Sequence, residues 1–270
     1  MTDVYLTQAP VRSNQEIARQ IFSLELEAPD IAAAFHPGQF INIQTNPDGA
    51  PLWRRPFSIA RSRGQIITII YKAIGIGTHQ MAGMQPGNTA DIIGPLGNSF
   101  TTGLAPGDRP LLIGGGLGFA PLIILRDVFV RLGLRPVLFM GALTADEHYY
   151  REDPDAELIL TSDDGTLGTQ GLVTDALREY LRRQEEPSAR YYAYSCGPEP
   201  MMAQVTRICQ GFGIPVELSI EREMACGIGL CQGCVIEQKP PRKKYALVCK
   251  DGPVFDGTQL TLTEGAPESL

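Results

Sequence analysis

The sequence predicts an antiparallel β-barrel, then an α/β domain built on a doubly wound parallel sheet, then a cysteine-rich C-terminal region. Three observations carry this. Up to about Leu104 the apolar residues fall in short β-rich runs separated by Pro-Gly turns. Beyond Pro106-Gly107-Asp108 strand-like runs alternate with helical ones, as βαβ units require. From about Glu221 that rhythm stops, and cysteines and glycines crowd together. A chain of 270 residues is long enough for two cores and an appendage, and the expected division is 1–106, 107–220 and 221–270.

In the first part, strands are expected at IFSLEL (Ile21–Leu26), FINIQT (Phe40–Thr45), IITIIYK (Ile66–Lys72) and ADII (Ala90–Ile93). Pro37-Gly38, Pro86-Gly87 and Gly94-Pro95 supply turns between them. RRPFSIA (Arg54–Ala60) reads as an extended segment after a Pro-rich loop. Side chains alternate along such a segment, so Arg55 and Phe57 share a face and Ser58 takes the other. A helical insert is expected over Thr78–Met84, with Gly75 and Gly77 ahead of it. Glycines before a helix start leave N–H groups free for a pyrophosphate.

In the second part, PLLIGGG leads to FAPLIILRDVFVRL, PVLFMGA to DEHYYRE, ELILTS to GLVTDALREYLRRQ, and RYYAYSC to PEPMMAQVTRICQGF. The longest apolar stretch, Pro110–Leu125, is interrupted by glycines and prolines and falls short of the about 20 residues a bilayer needs. It reads instead as a buried strand, a tight turn at Gly114, Gly115, Gly116 and Gly118, and a helix. GALT at Gly141, TSDDGTLGTQG at Thr161–Gly171 and SCGPEPMM at Ser195–Met202 lie where the carboxyl ends of parallel strands meet a ligand. Asp163 and Asp164, placed beside an adenosine ribose, would accept from a free 2′-OH and repel a 2′-phosphate, which favours NAD over NADP. Asp-Asp-Gly is also ordinary turn chemistry.

A formal charge of −7 argues against general affinity for nucleic acid or anionic membrane. The first residues lack the charged-then-apolar layout of a signal peptide, so a cytoplasmic protein with reduced thiols is expected. The run KPPRKK (Lys239–Lys244) is basic in an acidic chain, and is either a solvated loop or a face for an acidic partner. Of three histidines, His36 and His148 are expected to be exposed and His79 to cap or lie near a helix start. No Ser/His/Asp set, no paired carboxylates and no proton-abstracting base for an organic substrate are evident.

Three of the six cysteines fall in CGIGLCQGC, spaced Cys226-x4-Cys231-x2-Cys234, with Cys249 further on. Zinc sites generally use two paired knuckles, whereas here the second half supplies one cysteine and no histidine. The spacing is that of plant-type [2Fe–2S] ligation, with four thiolates on two irons. Gly227, Gly229 and Gly233 let the backbone approach an anionic cluster and turn N–H groups to its sulfurs. Cys209 reads as a buried apolar residue.

R-P-F-S followed by G-x-G-T resembles the flavin-binding barrel of the ferredoxin–NADP reductase superfamily, GGGLGFAP its pyrophosphate turn, and C-G-P-x-P-M its nicotinamide-side turn. That resemblance implies FAD contacts at Arg55, Pro56, Phe57, Ser58, Tyr71, Lys72, Gly75, Gly77 and Thr78. It implies NAD contacts at Gly114, Gly115, Gly116, Gly118, Asp163, Asp164, Gly197 and Pro198, with Cys196 near the reacting carbon as the catalytic position. The run ELSIEREMACGIGLCQGCVI and then YALVCKDGPVFDG resembles the electron-transfer subunits of class 1B dihydroorotate dehydrogenases, over essentially the whole chain. In that family the positions of Cys226, Cys231, Cys234 and Cys249 ligate the cluster. The resemblance implies an FMN-containing catalytic partner that oxidises dihydroorotate, a heterotetramer of two subunits of each kind, and an electron path through [2Fe–2S] and FAD to NAD. The alternatives are a flavin and iron–sulfur subunit of another redox complex, of the sulfide dehydrogenase or ferredoxin–NADP oxidoreductase kind, a stand-alone flavin reductase, and a zinc-stabilised binding module.

Overall fold

The computed structural model describes residues 3–46, 51–183 and 190–263. The first part is a closed six-stranded barrel made of β1 (Tyr5–Ala18), β2 (Ile21–Glu27), β3 (Phe40–Gln44), β4 (Arg55–Arg63), β5 (Ile66–Lys72) and β6 (Thr89–Leu96). Its strands pair antiparallel in the order β1-β2-β5-β4-β3-β6. Two short helices decorate it, α1 (Pro29–Ala34) and α2 (Ile76–Ala82). β1 has no counterpart in the apolar pattern because YLTQAPVRSNQEIA is mostly polar. Pairing with β2 on one side and β6 on the other makes it a strand, and only Ala9 and Val11 are buried along it.

The alternation along β3 has a particular consequence. Ile41 and Ile43 enter the barrel core, while Phe40 packs into a separate core shared with the second domain and with Cys234 and Cys249. Asn42, on the same side of the strand as Phe40, is fully buried as well. The outer face of this barrel strand is therefore covered.

The second part holds β7 (Arg109–Gly115), α3 (Ala120–Arg131), β8 (Val137–Ala142), β9 (Glu157–Ser162), β10 (Thr169–Gln170), α4 (Val173–Arg183), β11 (Tyr191–Cys196), α5 (Glu199–Gly211) and β12 (Val216–Ser219). These strands run parallel in the order β10-β9-β8-β7-β11-β12, which puts the carboxyl ends of β7, β8, β9 and β11 at one edge. The expected helix over DEHYYRE is a single 3-10 turn at Ala145–Glu147. The aromatic residues that follow turn inward instead: the Tyr149 hydroxyl donates to the carbonyls of Gly116 (3.3 Å) and Leu117 (3.2 Å), and Tyr150 packs on Phe119. His148, expected at the surface, is 1% exposed with Nε2 2.9 Å from the Thr161 carbonyl, and burial lowers its pKa.

The C-terminal part contributes β13 (Val235–Glu237), β14 (Tyr245–Leu247), α6 (Val248–Asp251) and β15 (Val254–Asp256). β15 pairs antiparallel with β12 and completes a seven-stranded sheet. The cysteine region is thus built onto the nucleotide-type sheet and tied to the barrel. Asn98, just beyond β6, donates to the carbonyls of Asp251 (3.1 Å) and Val254 (2.8 Å) and accepts from the Val254 N–H (2.9 Å). Ion pairs Arg61–Asp127 (3.1 Å) and Lys72–Glu147 (2.7 Å) join the barrel to the second domain. No helix among the described residues is long and apolar enough to cross a membrane.

Candidate functional site

At the start of β4, the two adjacent arginines Arg54 and Arg55 divide their work. Arg54 is committed to Asp91, through its carboxylate (2.7 Å) and its carbonyl (2.8 Å). Among the described residues, Arg55 donates only to the carbonyls of Trp53 (2.8 Å) and Arg54 (3.4 Å) in its own loop and meets no carboxylate, which suits it to an anion. Phe57 packs partly on the barrel core, and behind it Tyr71 meets it edge-on with centroids 5.9 Å apart. Tyr71 is itself 1% exposed, donates to Asn14 Oδ1 at 3.1 Å, and has its pKa pushed up to about 12 by burial. Of the residues expected at the flavin, Tyr71 thus backs the site from inside the barrel, and Lys72 is engaged with Glu147.

At α2, Thr78 Oγ1 accepts from the backbone N–H groups of Ile74 and Gly75, both at 3.0 Å, which fixes the turn into the helix. Gly77 is required by close approach: a Cβ there would sit 2.9 Å from Thr45 Oγ1, a buried hydroxyl with no hydrogen-bond partner. Ile74, Gly75, Ile76, His79 and Gln80 line an open recess of about 680 Å³. Leu52, Trp53, Ile74 and Ile76, on the loops flanking Arg55 and Thr78, are exposed apolar side chains of the kind a ligand covers.

The glycines at the end of β7 serve two different needs. A Cβ on Gly118 would fall 2.4 Å from the Cys196 carbonyl oxygen, and one on Gly115 2.7 Å from Met201 Sδ. Gly197, at φ +148°, would put a Cβ 3.0 Å from the Gly115 nitrogen. The β7 and β11 turns therefore touch backbone to backbone, with Pro198 beside Gly115. Gly116 differs, at φ +54° with nothing within reach of an added Cβ, so its turn faces open space.

Cys196 ends β11, fully buried. Burial raises its pKa well above the usual thiol value, with the nearby Glu221 carboxyl adding to the effect, so the thiol stays neutral. Its Sγ lies 3.9 Å from Glu221 Oε1. Glu221 is open to water on one side, yet protein crowds its carboxyl enough to raise its pKa too. Sequence reasoning did not single out Glu221, because no spacing motif marks it. In the loop after β9, Asp164 Oδ1 is taken up by the Thr166 N–H (3.0 Å) and hydroxyl (2.6 Å), which lower its pKa. Asp163 stands exposed, its pKa raised by partial burial and then by Asp164 and Glu147.

Cys226, Cys231 and Cys234 in the loop and Cys249 on α6 are free thiols. Cys226 Sγ accepts from the Cys231 N–H at 3.4 Å; burial pushes its pKa up, but the N–H groups of Cys231, Ile228 and Leu230 outweigh burial and bring it to about 6. Cys249 Sγ accepts from the Gly229 N–H at 3.1 Å, and Cys234 Sγ from the Cys249 N–H at 3.4 Å. Burial, then the neighbouring Cys234 thiol, raises Cys249 to about 12. Among the described residues, no three metal-ligating side chains meet as a single-ion site requires. Backbone amides already turned to three sulfurs, with Gly227 at φ +68° and Gly229 at φ +82° making the turns, fit the anionic sulfurs of a two-iron cluster. Cys231 is exposed, Cys234 and Cys249 are buried.

Two barrel asparagines, also unforeseen, reach this region. Asn98 holds the segment after Cys249, and Asn42 Nδ2 donates to the Cys226 carbonyl at 3.3 Å. The sequence signal for Asn42 was a single amide inside FINI, between apolar neighbours.

Two known families match parts of this chain. Residues 221–261 match the iron–sulfur cluster binding domain of dihydroorotate dehydrogenase B, and residues 8–100 an oxidoreductase FAD-binding domain. A dihydroorotate dehydrogenase B (NAD(+)), electron transfer subunit from Fusobacterium nucleatum is 34% identical over 250 residues, covering 91% of this chain and 94% of the relative. One from Bacillus caldolyticus is 37% identical over 259 residues, covering 93% and 97%. Among solved structures, that of an NADH-dependent reduced ferredoxin-NADP oxidoreductase superposes with a TM-score of 0.81 at 27% identity, covering 94% of this chain and 90% of the other.

Proposed function

Because the chain belongs to the family of dihydroorotate dehydrogenase B (NAD(+)) electron transfer subunits, we propose that it passes electrons from a dihydroorotate-oxidising, FMN-bearing partner to NAD⁺ in cytoplasmic pyrimidine biosynthesis. The observation that supports this most directly is the sulfur loop, whose N–H groups point at Cys226, Cys234 and Cys249 while its first ligand position is hydrogen-bonded to a barrel strand. Bound FAD and a [2Fe–2S] cluster supply the exchange between one-electron and two-electron carriers.

The protein's own residues do the rest. Cys226, Cys231, Cys234 and Cys249 hold the cluster. Arg55 neutralises the FAD pyrophosphate with the help of the Gly75–Thr78 turn, and Phe57 and Ser58 flank the ring. Gly116 opens the β7 turn to the NAD pyrophosphate, while Gly114, Gly115, Gly118, Gly197 and Pro198 pack the two turns that carry it. Cys196 presents a neutral thiol at the nicotinamide and shares a proton position with Glu221 Oε1. The division 1–106, 107–220 and 221–270 assigns these tasks to flavin, nucleotide and cluster parts, and two copies with two partner subunits make the working assembly.

Co-expression with the partner and anaerobic purification test the reading. A brown complex with flavin and about two irons per chain, which reduces NAD⁺ with dihydroorotate, is the expected result. A colourless, iron-free chain after reconstitution would overturn it, and a zinc content in place of iron would favour the binding-module alternative.

A further inference from the structure

Among the described residues, Asn42 lies at the one point where a strand of the barrel touches a cysteine of the sulfur loop by a side-chain hydrogen bond. It is fully buried on β3, opposite Pro56 of β4, while Arg55 and Phe57 lie opposite Ile43 and Ile41 on the other face of the ladder. On the other side β3 meets β6 at an irregularity, where Phe40 pairs with Leu96 but Asn42 pairs with Ile93. Bulges of this kind re-aim a side chain next to functional sites. The amide then meets the loop directly. Nδ2 donates to the Cys226 carbonyl, and Gly227 packs so tightly that a Cβ on it would lie 2.0 Å from Nδ2.

The amide's other half is unmatched. Asn42 Oδ1 is buried with no hydrogen-bond partner. A buried amide that donates once and leaves its carbonyl unpaired is held at a net cost, and an apolar residue of the same shape would serve the barrel better. Barrel stability does not account for the residue, whereas a requirement to hold the loop does.

We propose that Asn42 is a positioning residue for the cluster, fixing the Cys226 end of the loop to the flavin strand so that the cluster keeps one defined setting relative to FAD. This rests on the reading of the loop as a [2Fe–2S] site. Asn42 touches neither sulfur nor substrate; it acts through the Cys226 backbone. A carbonyl that accepts a hydrogen bond one residue from the turn also changes the polarity around the ligand, so the cluster's electronic signature should register its loss.

The test compares Asn42→Leu, Asn42→Ala and the barrel-core control Ile43→Val in the full chain purified anaerobically with FAD and cluster. Three readouts are taken: the electron paramagnetic resonance spectrum of the reduced cluster, its midpoint potential, and the rate at which a chelator bleaches it. In both Asn42 variants the g-values and the potential shift, and bleaching accelerates about fivefold, the equilibrium weight of one ordinary hydrogen bond holding the loop closed. Flavin reduction by NADH stays within about twofold of wild type, since the nicotinamide side is untouched. The Ile43→Val control, which removes a methylene from the barrel core next to Asn42, leaves all three cluster readouts unchanged. Wild-type spectra, potential and bleaching in both Asn42 variants overturn the inference. So does failure of both to fold with FAD bound, because Asn42 would then be a barrel residue only. Absence of any cluster in the wild type itself would instead sink the underlying reading.

Discussion

The sulfur of Cys196 stands 3.9 Å from Oε1 of Glu221, and protein surroundings raise the pKa of both groups. The pair joins the last residue of a central parallel strand to the segment that leads into the cysteine loop, so the end of β11 and the entry to that loop meet at a position where negative charge is disfavoured. A neutral carboxyl can donate a hydrogen bond as well as accept one; an ionised one can only accept.

A raised carboxyl pKa fixes the sign of a stability effect. Below its ordinary pKa, Glu221 is neutral whether the chain is folded or not, and its contribution is fully present. As pH rises through the window between the ordinary and the raised value, the unfolded chain ionises first and stability is lost. Urea unfolding of wild type should therefore show a midpoint that falls with pH across that window relative to Glu221→Gln, which has no charge to bury. Parallel curves for the two proteins would remove the claim that this carboxyl is crowded.

The two alanine substitutions at Gly118 and Gly116 should behave oppositely. At Gly118 the new Cβ would meet the Cys196 carbonyl and the Gly197 Cα, both backbone atoms that cannot step aside. Overpacking of that kind costs about 1–3 kcal/mol, and the displaced Cys196 should slow flavin reduction by NADH by up to about 100-fold. At Gly116 there is room, and only the left-handed φ is strained, at a cost of about 1 kcal/mol with Cys196 undisturbed. Stopped-flow reduction and thermal unfolding of both variants separate the two effects.

Much of this architecture is legible in the sequence because each motif has a local cause. The β7 turn can be read from GGGLGF, and the sulfur loop from its cysteine spacing, since glycine and cysteine are placed by steric and ligand needs that neighbours in sequence express. What stays hidden is set by distant contacts. β1 becomes a strand because β2 and β6 flank it, and β15 joins the sheet across from β12. His148 is buried in a segment that Tyr149 ties to the β7 turn through the Gly116 and Leu117 carbonyls and that Tyr150 packs against Phe119. Asn42 and Glu221 acquire meaning only from residues 184 and 25 positions away.

The ion pair between Arg126 and Asp153 should govern acid stability of the second domain. The Asp153 side chain is fully covered and that of Arg126 is 11% exposed, with Arg126 Nε 2.6 Å from Asp153 Oδ2 and the Tyr150 hydroxyl at the same distance from that oxygen. Burial alone would raise the Asp153 pKa, but the guanidinium, Tyr150 and the Asp155 N–H outweigh it and lower the pKa. A lowered pKa means stability that is present above the ordinary carboxyl value and lost as pH falls through the depressed one. Asp153→Asn should cost about 1–3 kcal/mol at neutral pH, the loss of a charged hydrogen-bond partner, since Arg126 keeps Asp127 (3.1 Å) and Asp155 (3.0 Å). That gap should narrow below about pH 4, where the unfolded chain's carboxyl is protonated first, and close as pH falls through the depressed folded value. A gap that stays constant down to acid unfolding would show that the charge is not what matters.

Asp163, rather than Asp164, should set the choice between NADH and NADPH. Asp164 spends an oxygen on the Thr166 N–H and hydroxyl within its own turn, whereas Asp163 stands exposed and feels both Asp164 and Glu147. Removing the outward charge weakens repulsion of a 2′-phosphate by an amount that corresponds to about five- to tenfold for charges a few ångströms apart near water. Asp163→Asn should narrow the ratio of kcat/KM for NADH over NADPH by that factor, and Asp164→Asn by less. Ionic strength then distinguishes the two sources of preference. Repulsion is screened beyond about 10 Å at 0.1 M salt, so a preference made of charge shrinks as salt is added. A hydrogen bond from the ribose 2′-OH to the Asp163 carboxylate is made at contact distance and survives it. A wild-type preference that collapses at high salt would assign selectivity to the field of the acidic loop, and one that persists would assign it to the hydroxyl contact.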